Sequence, residues 1–228
     1  MITLSRLAGS ITAVFLFVAF LMADPRVGAA GDVWISGQDI PTGPGEVTIG
    51  NSTSVVRTVT GKLEAGKRYL SFQDDIYRDE LIETFEGSAT ELTFLDESVL
   101  TLGPETAVVL DRFVYNPDSD ANEFVLSIAK GVLRFATGKL NSDAYEIHTP
   151  VSTIGIRGTV IDVVVGTAAG GVNAMTLTVI EGEATLFACG ERHLTVPEGY
   201  FSEVIGHEGN CFYRVPEAVI YRDHPQLP

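Results

Sequence analysis

Basic residues are scarce in this chain and nowhere clustered. Its 228 residues carry 15 Lys and Arg against 30 Asp and Glu, a net charge of −15. A surface that tracks phosphates needs clustered Lys and Arg. Nucleic acid is therefore excluded as a partner, and the acidic balance favours solubility. Catalytic fingerprints are equally scarce. The sequence has no Gly-x-Ser-x-Gly elbow, no phosphate loop and no dinucleotide fingerprint. Its four histidines are scattered, and none has a Ser or Cys placed as a nucleophile. No cofactor is implied, and no enzyme is expected. Carboxylates are plentiful, so a glycosidase-type pair such as Asp96 with Asp111 is the one hydrolytic arrangement left open. Turn and surface positions account for both. His148 reads as a buried or polar-tip histidine ahead of a general base.

The N-terminal apolar run, residues 11–23, has 13 residues, short of the roughly 20 that cross a bilayer. Arg6 precedes it and the small residues Gly28, Ala29 and Ala30 follow. Residues 1–30 thus read as a secretory signal cleaved after Ala29 or Ala30, the alternative being an uncleaved anchor. No cysteine follows the run, which excludes a lipoprotein signal. The expectation is an exported, periplasmic protein with no membrane span after cleavage. Residues 31–50 read as an extended lead-in with turn chemistry at Pro41, Gly43, Pro44 and Gly45. Trp34, the single tryptophan, is expected to tether it to the domain.

Amphipathic helices are also lacking. From Val55 onward the hydrophobic period is two, the signature of strands. Short strands are expected over residues 54–60, 68–72 and 81–84. A hairpin turns at Asp96-Glu97, where Glu in place of glycine disfavours a type I′ turn and points to a longer or bulged one. Residues 116–122 mimic the start of a calcium loop. They lack its glycine and its twelfth-position Glu, so a hairpin loop is the reading. Residues 124–138 and 176–190 resemble each other: alternating apolar residues flank a central glycine, Gly131 or Gly182, in a charged turn. The expected architecture is all-β, either a twisted solenoid-like stack of hairpins or an elongated sandwich. Residues 160–165 are apolar on both faces apart from Asp162 and should form a central strand.

The stretch from Thr149 to Thr159, Thr-Pro-Val-Ser-Thr-Ile-Gly-Ile-Arg-Gly-Thr, organises the rest. Pro150 fixes φ and removes a donor. Gly155 and Gly158, three apart, suggest a sharp bend between two strands. Arg157 has five donors to place among apolar neighbours. It is read as a clamp tying carbonyls of the corner, with Asp162 as its natural partner. The alternative is a contact for a partner's carboxylate.

Thr149, Pro150, Gly155, Arg157, Gly158 and Thr159 together resemble the signature of the FecR domain family, with the resemblance running from about Val55 to Val196. In that family a cytoplasmic helical anti-sigma segment precedes one membrane span, and the periplasmic part receives a signal from an outer-membrane transporter. Only ten residues precede the apolar run here. The resemblance therefore implies a freestanding FecR-like β domain over residues 51–215, with a loose tail at 216–228. The implied role is recognition of an envelope or membrane signalling protein. The other reading is a structural or surface-associated protein that binds glycan or cell wall.

Two cysteines in an exported chain pair by default, here Cys189 with Cys211. Such a bridge closes a loop of about 22 residues, worth roughly 3 kcal/mol. The mirrored spacings Cys189-x₃-His193 and His207-x₃-Cys211 leave a Cys₂His₂ zinc site as the alternative.

Overall fold

The computed structural model describes residues 34–35, 46–118, 121–141, 143–188, 192–207, 210–214 and 217–218, all within one unit that starts at Val33. Their regular elements are strands. In chain order these are β1 (Trp34–Ile35), β2 (Thr48–Val56), β3 (Val59–Leu63), β4 (Gly66–Tyr69), β5 (Asp75–Tyr77), β6 (Leu81–Thr84), β7 (Ala89–Phe94), β8 (Val99–Leu102) and β9 (Ala107–Val114). Then come β10 (Glu123–Ala136), β11 (Tyr145–His148), β12 (Ser152–Thr167), β13 (Asn173–Ala188), β14 (Arg192–Pro197), β15 (Tyr200–His207), β16 (Asn210–Tyr213) and β17 (Glu217–Ala218). The all-β expectation holds. Hydrogen bonds join the strands into one mixed sheet not closed into a barrel. Only β1 with β4 and β10 with β11 run parallel.

That sheet is folded over itself into two layers. The first layer runs β4, β3, β6, β9, the first half of β10, β11, the first half of β12, the second half of β13, and β14. The second runs β5, β2, β7, β8, the second half of β10, the second half of β12, the first half of β13, and β15. Beyond β15 lie β16 and β17. Rings from the two layers meet between them. Phe94 of β7 lies 4.8 Å edge-on from Phe124 of β10, and Phe135, later in β10, lies 5.6 Å from Tyr145 of β11. Around them the buried aliphatic residues, from Ile49 to Val204, form one continuous core. Alternation along each strand sends every second residue into it.

Seven corners carry the chain from one layer to the other, and each contains a residue with φ between 54° and 104°: Arg57, Gly87, Glu105, Gly131, Gly158, Gly182 and Gly199. This corrects three sequence expectations. Residues 54–60 are not one strand, because Arg57 turns the corner between β2 and β3. Gly131 and Gly182 do not sit in hairpin turns but bend the continuous strands β10 and β13 from one layer into the other. The stretch around Gly158 is likewise one 16-residue strand, β12, with a register break between Arg157 and Val160. Its second half is central, between β10 and β13, as its composition requires. The physical reason is common to all three. A bulge adds twist without ending the strand, so a glycine that looks like a turn on paper serves as a bend.

The hairpin turn between β7 and β8 is bulged, as expected. Phe94 N–H donates to Ser98 O and Glu97 N–H to Phe94 O, both at 3.0 Å, and Glu97 itself takes the left-handed position at φ 67°. The loop between β9 and β10 is a hairpin loop held by its own side chains. Asn116 N–H donates to Asn122 Oδ1 at 2.7 Å, and Asp118 N–H to Asn116 Oδ1 at 3.0 Å. Pairing of β1 with Lys67 and Arg68 ties the backbone at Trp34 to the sheet.

Candidate functional site

The Thr149–Thr159 stretch makes a turn, a strand and a corner. Thr149 N–H donates to Ser152 O at 2.9 Å, and the Thr149 hydroxyl accepts from Ser152 N–H at 3.0 Å. Pro150 occupies the turn position where its fixed φ is an advantage. The strand then runs beside β11 and β13, with Gly155 opposite Glu146 and Thr185. At the corner, Gly158 has φ 57°. Thr159 locks that corner: its N–H donates to Thr137 Oγ1 at 2.9 Å, and its hydroxyl reaches Arg157 O at 2.6 Å and Glu183 O at 2.8 Å.

The same lock recurs on the opposite edge. Thr106 follows the left-handed Glu105, donates its N–H to Thr84 Oγ1 at 2.9 Å, and accepts on its own hydroxyl from Val132 N–H at 2.9 Å. Thr58 follows the left-handed Arg57 and donates its N–H to Ser88 Oγ at 3.2 Å. Sequence reasoning missed this repeat. Its signal was present as a Ser or Thr after four of the seven corner residues: Arg57-Thr58, Gly87-Ser88, Glu105-Thr106 and Gly158-Thr159.

Arg157 does not clamp the corner. Its side chain is 66 % exposed, and its carboxylate contact is Asp143 at 3.4 Å, itself 86 % exposed. Asp162 is held instead by Arg134 in a two-pronged fork, Nε to Oδ1 at 2.7 Å and Nη2 to Oδ2 at 2.8 Å. The reason is register. The bulge at Gly158 leaves Arg157 in the first layer opposite Glu183, whereas Asp162 lies past the corner in the second layer opposite Arg134. Arg157 thus stands on an exposed corner beside the exposed carboxylates Glu181, Glu183 and Glu198.

The carboxylates considered for hydrolysis are otherwise engaged. Asp96 is fully buried. It accepts from the Tyr145 hydroxyl and the Ser98 hydroxyl, each at 2.6 Å. Tyr145 Oη in turn accepts from Gly138 N–H at 2.9 Å and Leu140 N–H at 3.1 Å. Burial, then the Asp96 carboxylate, push the Tyr145 phenol well above its ordinary range, so it stays a neutral donor. This network staples the β7–β8 turn to the loop entering β11. Asp111 accepts from the Ser127 hydroxyl. His148 is a polar-tip histidine, 3.2 Å from Glu146.

The last part of the described chain is arranged differently. Sheet pairing in the first layer stops at β14, which among the described residues bonds on one side only, to β13. The second layer continues past β15 to β16 and β17. Between the layers at this end lies a cavity of about 360 Å³ lined by Leu186, Ala188, His193, Leu194 and Tyr213. His193 stacks edge-on against Phe187 at 4.6 Å, and Cys211 packs partly against the core. Cys189 and the His207 side chain lie outside the described residues. Among the described residues no group of three or more His, Cys, Asp or Glu is placed to hold a metal.

Residues 80–185 match the model of the FecR protein family. Two crystal structures of a candidate anti-sigma factor from Parabacteroides distasonis ATCC 8503, at 1.65 and 2.50 Å resolution, are each 16 % identical to this chain. Each comparison covers 60 % of this chain and 60 % of the other, with a TM-score of 0.45. At that level the likeness transfers neither a residue role nor a partner. No curated protein matches the chain.

Proposed function

Because residues 80–185 are a FecR domain, we propose that this chain is a non-enzymatic protein-interaction module in envelope signalling, exported to the periplasm. The observation that carries the reading is the side of β14 left unpaired among the described residues, beside the cavity of Leu186, Ala188, His193, Leu194 and Tyr213. An edge strand offers a row of backbone donors and acceptors, and an adjoining apolar slot takes alternate side chains of an added strand. The partner is an envelope or membrane signalling protein. Arg157, exposed on its corner, supplies a second contact suited to a partner carboxylate.

A photo-reactive residue at Thr195, which is exposed on β14, is expected to cross-link one envelope protein in native cells, while one at Glu86, exposed on a far corner, does not. Equal capture from both positions, or none from Thr195, overturns the reading. The same cells test export and the cysteines. Protein from the periplasmic fraction is expected to begin near Gly31, with Cys189 and Cys211 oxidised to each other. An intact apolar segment in the membrane fraction overturns cleavage. Free thiols with stoichiometric zinc overturn the disulfide in favour of the Cys/His site.

A further inference from the structure

The opposite end of the molecule carries a second, polar depression. It lies on the outer face of the second layer, where β5, β2 and β7 run side by side. Its volume is about 280 Å³, and Thr48, Gly50, Asn51, Gln73, Asp75, Thr93, Phe94 and Leu95 line it. This is just under the roughly 300 Å³ at which ordinary small-molecule sites begin, so it suits one part of a larger ligand.

Register places Asp75, Asn51 and Thr93 in one cross-strand row. At a strand spacing near 4.8 Å that row is roughly 10 Å long. Its two ends are built by irregular backbone. The pairing of β2 with β5 slips between Thr48 and Gly50, and bulges commonly re-aim side chains at binding sites. Gln73 is held at φ 68° by its N–H bond to Ser52 O at 2.7 Å. A non-glycine residue in that conformation is strained unless its surroundings enforce it.

We propose that this depression binds an uncharged oligosaccharide. Three features select that chemistry. First, the side chains offer donors and acceptors together: the Asn51 and Gln73 amides, the Thr48 and Thr93 hydroxyls, and the acceptor carboxylate of Asp75. Sugar hydroxyls both donate and accept, so each finds a partner. Among the described residues, the side chains of Thr48, Asn51, Gln73 and Asp75 make no hydrogen bond of their own. Second, among the described residues no Lys, Arg or His lines the site, and Asp75 repels anions, so phosphate and acidic sugars are disfavoured. Third, apolar surface stands beside the polar row. Leu95 is 56 % exposed, and Phe72, next to Gln73, is 64 % exposed. Exposed apolar groups at a polar rim mark a contact surface, and the C–H faces of a sugar ring fit it.

The site lies at the other end from β14, so it stands or falls independently of the protein-interaction reading. The test is an NMR titration of the exported protein with maltotetraose, with the N-acetylglucosamine tetramer and, as a charged control, with trigalacturonate. Saturable shifts of the Asn51 and Gln73 side-chain amide signals are expected with at least one uncharged sugar, with no movement at Thr195. Asn51→Ala and Asp75→Ala should each weaken binding about tenfold, the loss of roughly one hydrogen-bonded contact, with otherwise unchanged spectra. Absence of saturable shifts up to about 10 mM sugar, well above the millimolar range of weak binding, sinks the proposal. So does equal binding of trigalacturonate, or binding that survives both substitutions.

Discussion

The two ends of the sandwich turn their corners by different means. In the N-terminal part, each corner joins two short strands, and its left-handed residue is Arg57, Gly87 or Glu105. In the C-terminal part β10, β12 and β13 pass through without a break, Gly199 alone joins two separate strands, and the residue is always glycine. A corner between separate strands has room to settle near φ 60°, in the small left-handed region open to side chains. Arg57 at 59° and Glu105 at 54° do so. A continuous strand pinned by neighbours has less latitude. Gly131 is forced to φ 104°, and a Cβ there would sit 2.4 Å from Thr106 Cα. Gly158 breaks the pattern in an informative way. It belongs to a continuous strand, yet its φ is 57° and nothing lies within 4 Å of its would-be Cβ. In its dihedral angle it resembles the N-terminal corners, although its strand is continuous.

The largest expected effect follows from that contrast. Gly131→Ala should cost about 4 kcal/mol, strain and overpacking together. Gly158→Asn should cost under about 1 kcal/mol, since Asn tolerates the left-handed region. Urea unfolding of the two variants measures both. Equal losses would show that continuity of the strand, and not local crowding, sets the need for glycine.

A second prediction concerns the N-terminal part, which holds a buried ion pair. Arg68 is 2 % exposed and Glu80 fully buried. The guanidinium reaches both carboxylate oxygens, Nε to Oε1 at 3.1 Å and Nη2 to Oε2 at 3.2 Å. Burial nonetheless outweighs the arginine, and the Glu80 carboxyl stays above its ordinary value. A carboxyl raised in the folded state favours folding most when protonated. Its contribution is therefore full below the unfolded value, near 4.5, and is lost as pH rises through the folded one. Arg68→Ala removes the only pull in the opposite direction from a cation. It should cost about 3 kcal/mol at neutral pH, with the deficit shrinking as pH falls towards 4.5. A deficit that stays constant from neutral pH to 4.5 would mean that Arg68 does not act through the charge of Glu80.

The smallest effect is expected at the signature arginine. Arg157→Ala should leave the melting midpoint within about 0.5 kcal/mol of wild type, as exposed substitutions do. Arg134→Ala, which strips Asp162 of its fork, should cost about 1 kcal/mol, reduced by its partial exposure. If the order is reversed, Arg157 is a structural clamp after all. If Arg157→Ala is silent in melting yet abolishes cross-linking from Thr195, it belongs to the partner interface.

Strand content, the bulged Asp96-Glu97 turn, the central strand after Gly158 and the Thr149–Thr159 landmark were legible in the sequence. Each rests on a local rule: alternation of side chains, turn residues, or a proline that cannot donate. The likeness of residues 80–185 to the FecR family was legible for the same reason, since the residues of the Thr149–Thr159 motif are contiguous in the chain. What the sequence did not determine was which glycines bend a strand and which end it, because a bend is defined by neighbours on both sides. Nor did it determine the partner of Asp162. Arg157 is nearer in sequence, but a single bulge displaces the register and hands the carboxylate to Arg134, 28 residues away. The open side of β14 and the polar row of Asp75, Asn51 and Thr93 were likewise decided only by tertiary structure. Both depend on which strand lies beside which, and alternation along one strand does not reveal its neighbour.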